Sequence, residues 1–542
     1  MLLRARFGGP SAFSGRTMTS EASTLPLPEG APPRRRRLIV RRSVDGSGER
    51  AGARAWRIAV AVSLVAIVAL CLFVVVMAAN RPSLLSPTTH DHFYPRWMAG
   101  PLGGLWPGLT GNGTTLKYLF SGAIVAMYLA YAVVLKGSSR AAPRWIFGAI
   151  LAVQVIFIFS PPLALTDVFN YINYGRMEWV HHLNPYTTIP ILEPHNDPSY
   201  ALSNWHQLLS PYGPAFTMLT FVVVPLGVPA SFWVLKVVLA AASLGTLVLV
   251  YKSARLLGRD PVWAVALVGL NPIVLVWGLG GDHNDFLMML CIVLAFYLLL
   301  RARETERARP QHPRLREWLV PPSAPLIGAG AAFVVAAGLK ASAAVLIPVV
   351  LAGLLSYRRA LAQVLAGMVL AGIVVGALSL TAFGLHIPDL STQSRLVTSE
   401  SVPNLIGLAV GAGGETEALH KVMTVGLLVS VLACCWYAWS PRRREGAPGP
   451  RAAERTITAC GWASVALLVT LSWVLPWYVL WVLPLAALSA SRWLRGAALA
   501  LGVYLIIAWA PASGQLWNAI GFHPEKTSLG RLHQRYVREL LN

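Results

Sequence analysis

Charge is scarce in this sequence. Asp, Glu, Lys and Arg together make up 13% of 542 residues, and the acidic side chains number 23 against 45 basic ones. A water-soluble chain of this length needs a more polar surface than that composition supplies, which excludes an ordinary soluble globular class. Cysteine is also rare. Cys71, Cys291, Cys434, Cys435 and Cys460 all fall inside apolar runs, so they suggest neither a disulfide framework nor a thiolate zinc site and read as small core hydrophobes. No Gly-rich nucleotide fingerprint lies between a strand and a helix. No repeat of roughly 20 to 50 residues recurs, and no pair of matched halves marks a transporter.

What the sequence has in abundance is apolar length. Hydrophobic residues make up 55% of the chain, in runs near the span of a bilayer separated by short charged loops. Lipid demands that each run satisfy its own backbone as a helix. The expectation is an all-α polytopic membrane protein with about 13 transmembrane helices. The runs are 57–79, 116–135, 144–163, 231–251, 262–280, 286–300, 323–339, 341–356, 360–383, 420–439, 456–475, 477–490 and 495–511. Residues 1–56, rich in Pro, Gly, Ser and Arg, read as a disordered basic cytoplasmic tail, residues 57–511 as the transmembrane domain, and residues 512–542 as a short C-terminal tail. The segment 214–228 is apolar, but counting it as a span would put Lys252, Arg255 and Arg259 outside, so it is read as a helix lying along or dipping into the outer surface.

Orientation follows from the basic residues. Clusters at 136–144, 252–259, 301–316, 358–359, 442–455 and 492–495 fall on one side, and few Lys or Arg fall on the other. Because Lys and Arg collect in cytoplasmic loops, the chain is expected to cross a plasma membrane many times with its N-terminus cytoplasmic. The net charge of +22 is then largely topological, and nucleic acid is not an expected partner. Most of the histidines, and the residues suited to chemistry, lie at the outer, extracytoplasmic ends of the spans.

The longest outer segment, 164–230, is too long and too aromatic for a connector. If Thr166 caps a helix, Asp167, Tyr171, Tyr174 and Glu178 share one face. Asp167 directly follows an apolar run, at the depth where a lipid phosphate meets water, and a carboxylate there can accept a proton from a hydroxyl. Asn184, Pro185 and Tyr186, then Tyr212, Gly213 and Pro214, are turn triplets that each present a tyrosine. Asp282, His283, Asn284 and Asp285 crowd a tight outer turn. Lys340 sits where two apolar runs meet and, with Arg176, is a candidate partner for a phosphate. The aromatic run of Trp473, Trp477, Tyr478 and Trp481 reads as an interfacial belt. No cluster has clear metal-ligand spacing beyond the 282–285 turn, so no metal and no cofactor is expected.

The order Asp167, Tyr171, Gly175-Arg176, Asn184-Pro185-Tyr186, Tyr212-Gly213-Pro214 and Gly281-Asp282-His283-Asn284-Asp285 resembles the GT-C class of polyprenol-phosphate-sugar glycosyltransferases. The likeness is greatest to the actinobacterial α(1→6) mannosyltransferases of lipomannan assembly, and the outer-loop pattern is similar to that of the eukaryotic GPI mannosyltransferases. Two departures are visible. Val168 and Phe169 follow Asp167 where the class often has a second Asp, and Asp167 follows the third span instead of the first. The resemblance implies a GT-C-like helical bundle whose outer loop carries short surface helices. It also implies a polyprenyl-phosphate sugar donor, β-mannosyl in form, and inverting transfer to a glycan or glycolipid acceptor. In that scheme Asp167 is the base, Arg176 and Lys340 hold the donor phosphate, and Tyr171, Asn184, Tyr186, Tyr212, Asp282, His283 and Asp285 contact sugar or acceptor. A transporter or flippase of lipid-linked glycans, or a ligase or polymerase acting on diphosphate-linked glycans, is the alternative. A transporter would place its polar residues near the bilayer midplane instead of at span ends.

Overall fold

The computed structural model describes residues 46–80, 95–106, 112–163, 166–308, 323–440 and 446–541. Most of the predicted basic tail, residues 1–45, lies outside the described residues, while residues 46–56 form the opening turns of the first helix. By its contacts the chain divides into Met1–Arg50 and Ala51–Asn542, and the site described below lies wholly within the second unit.

Among the described residues the regular structure is helical, with no strand. The helices are α1 (Gly46–Asn80), α2 (Gly113–Gly137), α3 (Pro143–Ile158), α4 (Asp167–Trp179), α5 (Pro214–Phe221), α6 (Val228–Leu256), α7 (Pro261–Gly269), α8 (Asp285–Ala308), α9 (Ala324–Leu339) and α10 (Leu346–Leu354). They continue with α11 (Arg358–Phe383), α12 (Leu390–Ser394), α13 (Val402–Ala409), α14 (Glu417–Ala438), α15 (Pro450–Thr470), α16 (Leu483–Leu488), α17 (Arg492–Trp509), α18 (Ser513–Ala519) and α19 (Ser528–Leu541). Their starts are written locally. Pro143, Pro214, Pro261 and Pro450 occupy first helical positions, where a missing N–H costs nothing. Asn112 and Asp260 cap α2 and α7 by accepting two backbone N–H groups each.

Among the described residues, seven helices are long and apolar enough to cross a membrane, α1, α2, α6, α8, α11, α14 and α17. Several other expected spans are broken. The run 262–280 is α7 followed by a π-helical turn at Val274–Leu279. The run 341–356 is a 3-10 turn at Ala341–Val345 leading into α10, and 477–490 is a 3-10 turn at Pro476–Trp481 leading into α16. The segment 214–228 divides into the eight-residue α5 and a 3-10 turn at Val224–Leu226, too short to cross a bilayer in either piece.

Helices α11 and α14 turn apolar side chains outward. Val369, Ile373, Val425 and Leu428 are all exposed, Ile373 at 63%, an arrangement that water would penalise and lipid accepts. Between helices, small residues replace the hydrophobic drive that lipid removes. The α9 and α11 backbones touch at two glycines. A Cβ on Gly330 would lie 2.0 Å from the Val364 carbonyl oxygen, and one on Gly367 would lie 1.9 Å from that of Ile327.

The buried interior is one large cluster running through α1, α3, α7, α8, α15 and α16. A second cluster sits under the long loop, where Phe169, Tyr171, Phe216, Phe232 and Leu339 pack together. That second cluster sets α4 against α5 and the start of α6, and it places the beginning of α4 next to the 280–285 turn.

Candidate active site

Helix α4 begins at Asp167, with Thr166 in the capping position. The Thr166 hydroxyl does not bond a backbone N–H; it donates to Asn204 in the returning limb of the loop. The carboxylate of Asp167 instead occupies the helix N-terminus, where the dipole favours negative charge. Just upstream, the Leu163 N–H donates to the Gly280 carbonyl at 2.6 Å, which clamps the entry of α4 to the acidic turn.

The turn delivers three side chains, each to partners of its own. Asp282 has φ of +58°, a left-handed conformation that costs a non-glycine residue about 1–3 kcal/mol. Its two carboxylate oxygens each lie 2.8 Å from Nζ of Lys236 on α6, and both side chains are essentially buried. His283 is buried with Nδ1 3.1 Å from Asp167 Oδ2, close enough for an ion pair. Neither ring nitrogen makes a well-aligned hydrogen bond, so the contact rests on proximity. Its ring stacks on Trp477 at 3.4 Å and 9°. Asp285 accepts from Lys340 Nζ at 2.8 and 2.9 Å and from Trp481 Nε1 at 2.5 Å. Among the described residues no three His, Cys, Asp or Glu side chains are grouped to hold a metal ion.

Lys340 stands at the break between α9 and the following 3-10 turn, in extended backbone with φ −153° and ψ 124°. The Tyr212-Gly213-Pro214 turn presses on that break. Gly213 N–H donates to the Leu339 carbonyl at 3.2 Å, and a Cβ on Gly213 would meet the Gly338 carbonyl oxygen at 2.1 Å. Only glycine allows this approach. The Lys340 ammonium lies 5.0 Å from the Tyr478 ring centre and 5.5 Å from that of Trp481, within cation-π range.

Asp167 and Lys340 both line one cavity of about 320 Å³, which falls within the roughly 300–1,000 Å³ range of small-molecule sites. Tyr212, Trp473, Trp477, Tyr478 and Trp481 supply its aromatic wall, Leu467, Leu471 and Leu475 an apolar flank, and Gln393 and Ser394 of α12 a polar edge. The expected interfacial belt is thereby corrected. Trp477, Tyr478 and Trp481 are at most 8% exposed and face the cavity, because the run folds into a 3-10 turn and α16 instead of a lipid-facing span.

Other sequence-predicted residues sit around the cavity without lining it. Tyr171 and Tyr174 are buried, packed edge-on against Tyr212, and Tyr171 accepts from the Asn284 N–H at 3.2 Å. Asn184 donates to the Phe383 carbonyl at 2.7 Å and accepts from the Tyr186 N–H at 3.0 Å; Tyr186 donates to the Tyr212 carbonyl at 2.9 Å. Asp282, His283 and Asp285 form the layer behind the wall. Arg176 turns away into the loop, where it pairs with Asp197 through Nε–Oδ1 at 2.9 Å and Nη2–Oδ2 at 2.8 Å. Burial alone would raise Asp197, but Arg176, Ser199 and His181 hold its carboxyl well below the usual range. Nearby, Glu193 has neither oxygen in a well-formed hydrogen bond. Burial pushes it up to about 8 despite the Asn173 amide.

Sequence reasoning missed Lys236. A lone lysine inside an apolar run was the available signal, since such a charge needs a buried partner. It also missed Asp197, whose claim on Arg176 is set by loop folding.

The chain matches the family profile described as alpha-(1->6)-mannopyranosyltransferase, N-terminal domain, over residues 92–356. It matches a second profile, MptB C-terminal domain, over residues 398–524. Similar curated proteins include alpha-(1->6)-mannopyranosyltransferase A of Corynebacterium glutamicum, 24% identical over 68% of this chain and 76% of that protein. The protein of the same name from Mycobacterium tuberculosis is 26% identical over 65% of this chain and 67% of its own length. No solved structure matches the chain significantly.

Proposed function

Because this chain belongs to the α-(1→6)-mannopyranosyltransferase family and is a membrane glycosyltransferase, we propose that it moves mannose from a polyprenyl monophosphate to a glycan acceptor at the outer membrane face. The observation that carries this reading is the shared cavity, which has Asp167 and Lys340 on its lining, aromatic rings as its wall and a leucine-rich flank suited to a polyprenyl chain. The extracytoplasmic orientation rests on the Lys and Arg asymmetry.

In this mechanism Asp167 accepts the proton of the acceptor hydroxyl. The acceptor oxygen attacks the anomeric carbon on the face opposite the phosphate. The bond from that carbon to the phosphate oxygen breaks, its electron pair leaves with polyprenyl phosphate, and a β-linked donor yields an α-linked product. A phosphate leaves without a general acid, so a fixed cation facing its developing charge suffices, and Lys340 is that cation. Asp285 and Trp481 hold Lys340 in place. His283, braced between Asp167 and Trp477, fixes the orientation of the base, and the Asp282–Lys236 pair holds the turn that presents His283. Arg176 stiffens the loop through Asp197. The scheme calls on no divalent metal, so transfer should persist in EDTA.

The test is an assay of the purified protein with polyprenyl-phosphate-[14C]mannose and a short α-(1→6)-mannoside. Labelled product should grow in the acceptor and not in its absence. Asp167→Asn should reduce transfer by on the order of 10²–10⁴ while lipid donor still binds. Near-native turnover by a folded Asp167→Asn protein would remove Asp167 from the role of base.

A further inference from the structure

Beside the catalytic cavity lies a second one of about 350 Å³, lined by residues 397–400, Trp473, Trp509 and three residues of α19. Trp473 lines both cavities, and Leu396 on the first is followed in the chain by Val397 on the second. The two cavities therefore share one indole and adjoin across one step of backbone. The C-terminal helix α19 is not loosely placed there. Leu540 packs with Leu208 and Leu396 beside Trp205 and Trp473, and the Gln207 N–H donates to the Leu540 carbonyl at 3.2 Å.

The lining offers polar groups that the protein leaves unused. Gln534 and Arg538, four residues apart on α19, present one exposed face. Among the described residues neither side chain makes a hydrogen bond or ion pair with another. The Glu400 carboxyl, half-buried in the same lining, accepts from its own backbone N–H and faces no side-chain donor among the described residues, and the Trp509 indole N–H has no acceptor. One acid and one base give the cavity no net charge, which disfavours a phosphate or any strongly ionic ligand. Carboxylate, amide and guanidinium are planar groups able to bind two neighbouring hydroxyls at once, and indoles offer apolar faces to sugar rings. The chemistry fits a neutral polyhydroxyl ligand.

We propose that this second cavity is the acceptor subsite, holding a sugar of the acceptor glycan behind the reacting one, with the chain crossing Trp473 and α19 gripping it through Gln534 and Arg538. The inference rests on the transferase reading above and adds what it lacks, a place for the acceptor and a reason for preference by length.

Full-length protein in nanodiscs, a Gln534→Ala/Arg538→Ala variant and mannosides of one to four units test it. With wild type, KM should fall about tenfold between the shortest and longest acceptors. The variant should raise KM for the tetrasaccharide about tenfold and leave KM for the shortest acceptor and for the donor within twofold. Both side chains are exposed, so the melting temperature should hold. An unchanged KM for the tetrasaccharide, or an equal rise for short and long acceptors, overturns the assignment. Saturation-transfer NMR with the tetrasaccharide and no donor separates the two readings. If wild type shows transfer to the ligand and the variant loses it, the subsite stands even where turnover is absent and the donor assignment has failed. If wild type shows none, the subsite is wrong whatever the turnover.

Discussion

At the scale of single residues, the site is defined by which charges are already engaged. Asp282 and Asp285 each face a lysine, whereas Asp167 meets a histidine and lines the cavity. A buried ion pair is costly to break from one side and far less costly to replace whole. Lys236→Met alone should therefore destabilise by about 3–5 kcal/mol, and Lys236→Met/Asp282→Asn should recover much of that loss. Thermal unfolding in detergent checks it, and equal losses for single and double variants would mean the pair is not coupled. Lys340→Ala should raise the donor KM and lower the melting temperature together, because it removes the cation facing the phosphate and leaves the buried Asp285 with the Trp481 indole in place of a charged partner. Glu193 makes a pH prediction. Burial lifts its folded pKa to about 8, above the ordinary glutamate value of 4.5, so the folded state holds the proton more tightly. The stability it contributes is full below the unfolded pKa and is lost as pH rises through about 8. Glu193→Gln should flatten the fall in melting temperature between those values, and an unchanged slope would show that another group sets it.

At the scale of elements, the working parts lie at helix breaks. Lys340 sits between α9 and a 3-10 turn, Asp282 follows a π-helical turn, and Trp477 and Trp481 belong to a 3-10 turn before α16. A break frees backbone groups and lets side chains project across the bundle, which an uninterrupted span would not allow. Gly213 sets one such break by direct backbone contact with Gly338 and Leu339. Gly213→Ala should push the loop off the end of α9, reduce transfer at least about tenfold and weaken donor binding, with membrane insertion intact. Such a position tolerates no Cβ without movement. Wild-type activity in this variant would show that the contact does not position Lys340.

At the scale of the whole molecule, long apolar helices carry outward-facing stripes, while the polar groups of the site gather where the start of α4, the 280–285 turn and the break after α9 meet. The topology proposal makes His195 and Ser394 outer and Arg358 inner. In a background lacking the five native cysteines, His195→Cys and Ser394→Cys should react with an impermeant maleimide added to intact cells, and Arg358→Cys only after the membrane is opened. The reverse pattern would invert the orientation and remove the extracytoplasmic chemistry with it.

The helical membrane class, the approximate positions of most apolar helices, and the interest of Asp167, Lys340 and the 282–285 turn could all be read from the sequence. Each depends on local composition, on apolar length or on a polar residue placed at the end of an apolar run. Which side chains meet was decided only by tertiary structure. Asp282 pairs with Lys236, Asp285 with Lys340 and Arg176 with Asp197 because separate helices and a folded loop bring them together, and no spacing encodes a partner 46 or 55 residues away. The aromatic run shows the same limit. Its hydropathy suits a lipid interface and a cavity wall equally, and the choice fell to the turn at Pro476–Trp481, whose direction is set by packing against the rest of the bundle.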